Sequence, residues 1–274
     1  GIMPTLFGDL LMDRCVFLGL AEISENLPSL DEVVIPIPME GKQADEYADI
    51  EEALAETVRE MLARNDRRLL ATMLQTLLCY PDHPFDWDEV GYWESLAGKA
   101  GVATTKKMQA NDSKKEIVKR DFIPVVRPTN LRRDHEYPKE KALLDRVKQE
   151  IEEGRQVWVF VQYTGKRNVG QRLVDLMQKH QITARILPAS VPPAEREEWI
   201  ATHGKKNQVI ISHPKLVETG LDLFDKNGGH NFSTLIFYET GYNTFTLRQA
   251  SRRSWRIGQQ KRCRVIYFYY EGTM

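Results

Sequence analysis

Cysteine is scarce in the 274-residue chain: Cys15, Cys79 and Cys263 stand far apart, with no C-x-x-C pair. An odd, dispersed set excludes a disulfide framework and a zinc ribbon and points to a reducing compartment. The 6 histidines are scattered singly, so no metal centre is expected. No run of about 18 apolar residues occurs, and no membrane span is indicated. The opening "GIMPTLFGDLLMDR" has no basic region ahead of a long apolar stretch and is not read as a signal peptide. A phosphate loop of the form G-x-x-x-x-G-K-[ST] is missing too: "AGKA", "TGKR" and "HGKK" lack its spacing and its following Ser or Thr. No D-E-x-H or D-E-x-D stretch follows an apolar strand, so neither a triphosphate cradle nor magnesium carboxylates are expected within this chain.

What is present is 42% apolar residues, enough for the core of one large domain or two ordinary ones. Three zones separate by pattern. Residues 1–30 read as a partly helical lead-in, and the abrupt start and end of the chain lead us to expect a fragment of a longer polypeptide. Residues 31–138 read as a helical and loop-rich attachment. "DEVVIPIPM" is β-rich, but its prolines demote it to an edge strand or a lead-in. After it, Tyr47, Ile50, Leu54, Val58, Met61 and Leu62 recur at helical spacing, in one long helix or two broken near Arg64-Asn65-Asp66. From Pro81 to Pro138 periodicity fades into loops with paired basic residues, either a phosphate-facing insertion or a charge-rich surface.

Residues 139–274 are regular. "KEKALLDRVKQEIEEG" predicts a helix ended by Gly154, "QVWVFVQYT" a buried strand, "RNVGQRLVDLMQKH" a helix and "ITARIL" a strand. "PPAEREEWIATHG" predicts a helix, "QVIIS" and "TLIFYE" strands, "FTLRQASRRSW" a helix and "CRVIYFYY" a final strand. Alternation of this kind, with continuous apolar strands, predicts an α/β fold: a parallel sheet covered by helices on both faces. Chemistry in such sheets collects beyond the carboxyl ends of the strands.

Against a net charge of -1, "RQASRRSWRIGQQKRCRV" holds seven basic residues and no acid. A helix carrying Gln249, Arg253 and Arg256 at spacings of four and three puts them on one face, where guanidinium forks suit phosphate oxygens.

"QASRRSWRIGQ" resembles the last signature of superfamily-two helicases and, within them, of the Swi/Snf-type DNA-dependent ATPases, Q-A-x-x-R-x-H-R-I-G-Q. Gln249, Ala250, Arg253, Arg256, Ile257, Gly258 and Gln259 match, and Trp255 stands where the family usually has His. "YNTFTLRQ" is similar to W-N-P-x-x-x-x-Q, with Tyr242 and Thr244 as departures. "VIISHPKLVETGLDL" resembles the preceding motif through Gly220, Leu221 and Leu223, "YPKEKALLDRV" the S-P-K-x-x-x-L stretch, and "PAEREEWI" the conserved-arginine helix with Arg196 in place. The match covers residues 137 to 274; upstream, "MEGKQADEYADI" is weakly similar to a Q-x-x-x-Y lead-in.

The resemblance implies the second RecA-like lobe of an ATP-driven translocase. It implies arginine fingers, Arg253 and Arg256 with Arg256 foremost, that face the γ-phosphate of ATP. It also implies Gln249 as a nucleotide-orienting residue, Asp222 on the ribose and Gly220 in close backbone approach. ATP and Mg2+ would be bound mainly by a first RecA-like lobe that this chain lacks, so the chain alone is expected to be inactive. DNA, expected to be double-stranded and bound without sequence specificity, would be held through its backbone by Gln162, Tyr163, Thr164, Lys166 and Arg167, and by Ser212, His213 and Lys215. A strand-separating helicase, a restriction-system motor subunit and a non-catalytic nucleic-acid-binding or docking module are the alternatives. The expected setting is cytoplasmic, bacterial or viral.

Overall fold

A computed structural model of the chain describes residues 4–6, 8–9, 12–16, 27–94, 121–165, 167–218, 220–225 and 228–273. Most of the expected lead-in 1–30, three of the four paired basic stretches and Lys166 lie outside the described residues. No helix among the described residues is long and apolar enough to cross a membrane.

Six strands form one sheet: β1 (Leu30–Ile37), β4 (Val157–Phe160), β5 (Ala184–Ile186), β6 (Val209–Ser212), β7 (Thr234–Phe237) and β8 (Cys263–Tyr270). Their spatial order is β1-β8-β7-β4-β6-β5, and every pairing is parallel. Pro36 of β1 is tolerated because β1 is an edge strand with a single neighbour. Although β1 precedes the regular region by about a hundred residues, it belongs to the same sheet. Its register on β8 runs from Leu30 opposite Cys263 to Ile37 opposite Tyr270.

Strand residues alternate between two cores, as a period of two requires. Val157, Val159, Val209, Ile211, Ile236 and Ile266 face one side and pack on Leu143 and Val147 of α3 (Pro138–Glu152) and Leu173 and Met177 of α4 (Val169–Lys179). Trp158, Phe160, Ile210, Leu235, Phe237 and Val265 face the other. There they meet Ile200 of α5 (Arg196–Gly204) and Ala250 of α6 (Thr244–Ser251). Local chemistry sets the helix ends. Asn168 Oδ1 caps α4 by accepting from Gln171 N at 3.1 Å, and Gly154, at φ +71, follows α3. A buried Leu, Ile or Val contributes roughly 1.5–3 kcal/mol, so these two layers dominate the stability of the lobe.

A third core belongs to α1 (Gly41–Ala63) and α2 (Leu70–Cys79) with β2 (Val90–Trp93) and β3 (Phe122–Val126), an antiparallel pair. Tyr47, Ile50, Leu54, Val58 and Met61 form its stripe on α1, while Leu62 is exposed. The helical region divides after Ala63, where Asn65 takes φ 57 and Asp66 N donates back to Met61 O. The region from Pro81 was expected to be loops; β2 and β3 correct that. Their pairing is non-local, and "FIPVV" carries a proline that hides the strand pattern. This unit meets the sheet through a buried ion pair, Lys139 Nζ to Asp82 Oδ2 at 3.0 Å, with Lys139 also over the rings of Tyr238 and Tyr270.

Candidate functional site

The connection from β4 leads towards β5 and that from β7 towards β8, on opposite sides, so the crevice between β4 and β7 is a switch point of the sheet. Glu239, which follows β7, bridges it. Its Oε2 accepts from Gln162 N at 2.6 Å and Tyr163 N at 3.0 Å, and Gln162 Nε2 donates to Thr240 O at 3.0 Å. Gly241 has φ +65, and a Cβ there would lie 2.8 Å from the Gln162 amide, so only glycine fits without displacing it. Burial, and next Asp82, push the Glu239 carboxyl up to about 8, against the pull of the two amide donors and Lys139. Sequence reasoning passed over Glu239; a carboxylate directly after an apolar strand was the available signal.

Gln162, Tyr163, His213 and Lys215 come together along one groove of about 560 Å³, which α2 closes on the opposite side. His213 Nδ1 accepts from Lys215 N at 3.1 Å, and burial, then Lys215, holds its pKa below the usual value. Thr164 is exposed. The Arg167 guanidinium lies 3.4 Å from the centre of the Trp87 ring. Ser212 is the correction in this group. It is 1% exposed, and its hydroxyl accepts from Trp158 Nε1 at 2.9 Å, so it packs inside the sheet instead of facing the groove.

The arginines follow α6. Helix α6 opens on Asn243, whose Oδ1 accepts from Thr246 N at 3.1 Å, and it ends at Ser251. Arg253 and Arg256 were expected on the helix face; they lie in the loop after it. Tertiary bonds draw that loop off the helix axis: Ser254 Oγ to Phe232 O at 2.6 Å, Trp255 Nε1 to Pro28 O at 2.7 Å, and Gln259 in two bonds of 2.9 Å with Asn231. Gly258, at φ +96, completes the turn.

Within this loop Arg253 is 8% exposed and donates to Glu218 O, and burial, then Arg256, lowers its pKa. Arg256 Nε stands 3.0 Å from Asp222 Oδ1, with both side chains partly exposed. Gly220, at φ +76, turns the chain two residues before Asp222. Arg196 ties the same segment down by donating to Leu216 O at 3.0 Å. The structure thus brings Arg253, Arg256, Asp222 and Gly220 into one region. Gln249 is exposed on α6, and its side chain forms no hydrogen bond with the described residues. Arg253 Nε is buried without a hydrogen-bond partner among the described residues, whereas Arg256 Nε is engaged by the Asp222 carboxylate. Guanidinium groups with donors in reserve are suited to an anion.

Residues 138–258 match the helicase conserved C-terminal domain family. Among solved structures, the C-terminal part of the Fun30 ATPase domain superposes with a TM-score of 0.61 at 14% identity, over 90% of this chain and 87% of that one. The Sulfolobus solfataricus SWI2/SNF2 ATPase core in complex with dsDNA superposes with a TM-score of 0.56 at 16% identity, over 89% of this chain. This chain spans 42% of that one. None of the curated proteins matches in sequence. Residues 138–258 are thus similar to the helicase conserved C-terminal domain family, and the chain has a RecA-like α/β fold shared with these two ATPase structures.

Proposed function

We propose that the chain is the second motor lobe of a DNA-stimulated ATPase that translocates on double-stranded DNA. The observation that carries this reading is the convergence of Arg253, Arg256 and Asp222 at the loops of a lobe whose motifs lie in helicase order. Arg256, partly exposed, would meet the γ-phosphate, and its planar fork would neutralise charge spreading over the transferred oxygens. Arg253 is deeper and bonded to the Glu218 carbonyl, so it would act beside Arg256 while holding the 218–223 loop. Asp222 would exchange Arg256 for a ribose hydroxyl as nucleotide arrives, and Gln249 would orient the nucleotide.

The partly exposed guanidinium of Arg256, beside that of Arg253, fits a polyphosphate. For Mg2+ the residues present do not fit: no group of three His, Cys, Asp or Glu able to hold a metal occurs among the described residues. We assign its ligands to a first lobe and derive no step through it. DNA would lie along the groove of Gln162, Tyr163, His213 and Lys215, contacted through its backbone.

The test is DNA-stimulated ATP turnover by the intact polypeptide, wild type against Arg256→Ala at matched DNA occupancy. The expected loss is about 10³-fold or more with nucleotide and DNA binding retained; unchanged turnover would remove the finger assignment. The chain alone should show no magnesium-dependent hydrolysis, and turnover there would contradict the division of labour between lobes.

A further inference from the structure

The lobe's loops make only one wall of their groove. Leu74 and Gln75 of α2 make part of the other, and Gln75 also lines a second cavity of about 800 Å³ that holds Arg167 and Trp87. The two hollows therefore meet across α2. That helix, "LATMLQTLLC", carries no charged side chain, so nothing on it repels an anion.

Arg167, which lines the second cavity with Gln75, is in an unusual state. Its guanidinium lies against the face of Trp87, and among the described residues it forms no ion pair and its buried Nε has no hydrogen-bond partner. Trp87 is itself fixed: it is 4% exposed, its Nε1 donates to His83 O at 2.6 Å, and Asn130 bonds its backbone at 2.7 and 2.9 Å. A cation held by a ring instead of a carboxylate keeps its donors for an outside acceptor. Arg68, which also lines the second cavity, is by contrast engaged twice by Asp66, and Glu89 and Glu94 line the same cavity. Lys215 on the groove and Arg167 on the second cavity are therefore two cations on hollows that share Gln75 of α2.

We infer that α2 and Trp87 complete a nucleic-acid groove. A phosphodiester backbone seated between Lys215 and Arg167 crosses α2, with Gln75 donating to it and Trp87 acting as the positioning residue for Arg167. This rests on the reading of the lobe as a DNA-contacting motor part, and it assigns to the helical unit a share of the binding that the motifs place on the lobe alone.

The test is anisotropy of a labelled duplex DNA titrated with the chain over a series of salt concentrations. Gln75 is exposed, so Gln75→Glu changes charge without disturbing a core. It should weaken binding about tenfold at low salt, the size expected of one like charge near a phosphate. Gln178→Glu, the same change at an exposed position of α4, should alter it less than about twofold. Arg167→Gln should lower the slope of log affinity against log salt by about one phosphate, and Trp87→Leu should reproduce that slope where Trp87→Phe restores it. If Lys215→Ala weakens binding while Gln75→Glu and Arg167→Gln bind as wild type, the groove ends at the lobe's loops and this inference fails, with the DNA reading intact. If the wild-type chain does not bind duplex DNA, both fail.

Discussion

Arg256 Nε rests 3.0 Å from Asp222 Oδ1, so the candidate finger is held by the carboxylate proposed to receive the ribose. Both side chains are partly exposed, at 39% and 54%, and an exposed pair of this kind contributes about 0–1 kcal/mol.

Arg256→Ala and Asp222→Asn should therefore leave the thermal midpoint of the chain within roughly 3 °C of wild type. Turnover by the intact polypeptide should separate them. Arg256→Lys should not rescue Arg256→Ala, because a point charge lacks the planar fork. A large fall in the midpoint of either variant would show the pair to be structural.

The Lys139–Asp82 pair is the opposite case, with both side chains 5% exposed. Lys139→Met should cost about 3–5 kcal/mol, since it leaves Asp82 buried without its cation. Adding Asp82→Asn should recover a large part of that loss. Urea unfolding of the two variants measures it, and additive losses would argue against coupling between the helical unit and the lobe.

Glu239 sets a pH dependence. Its carboxyl is raised from the usual 4.5 to about 8, so between those values the native protein holds a proton that the unfolded chain has released. Unfolding then releases a proton, and this group's contribution to stability falls as pH rises through the window and levels off above about 8. Glu239→Gln keeps an acceptor for the Gln162 and Tyr163 amides and should remove that slope. Thermal midpoints from about pH 5 to 9 test it; an unchanged slope would assign it to another group.

Much of the lobe was legible because its elements announce themselves locally. "VWVF" and "VIIS" are apolar without interruption, Asn168 caps a helix whose apolar residues repeat at helical spacing, and Gly154 follows another. Elements defined by distant partners were not legible. β2 and β3 find each other across residues whose pattern is broken by Gly91 and Pro124, and helical spacing cannot foresee that Ser254, Trp255 and Gln259 bond to Phe232, Pro28 and Asn231.

By itself, the order of residues determined the alternating α/β pattern, the apolar faces that bury, and the succession of motifs from the helix after Pro138 to Gly258. These follow from periodicity and backbone preference, which act over a few residues. Tertiary structure alone decided that Leu30–Ile37 joins the far edge of the sheet and that Ser212 faces inward. It also decided that α2 closes the groove opposite Lys215. Those outcomes depend on which surfaces meet, and the free energy of such contacts arises only once remote segments have been brought together.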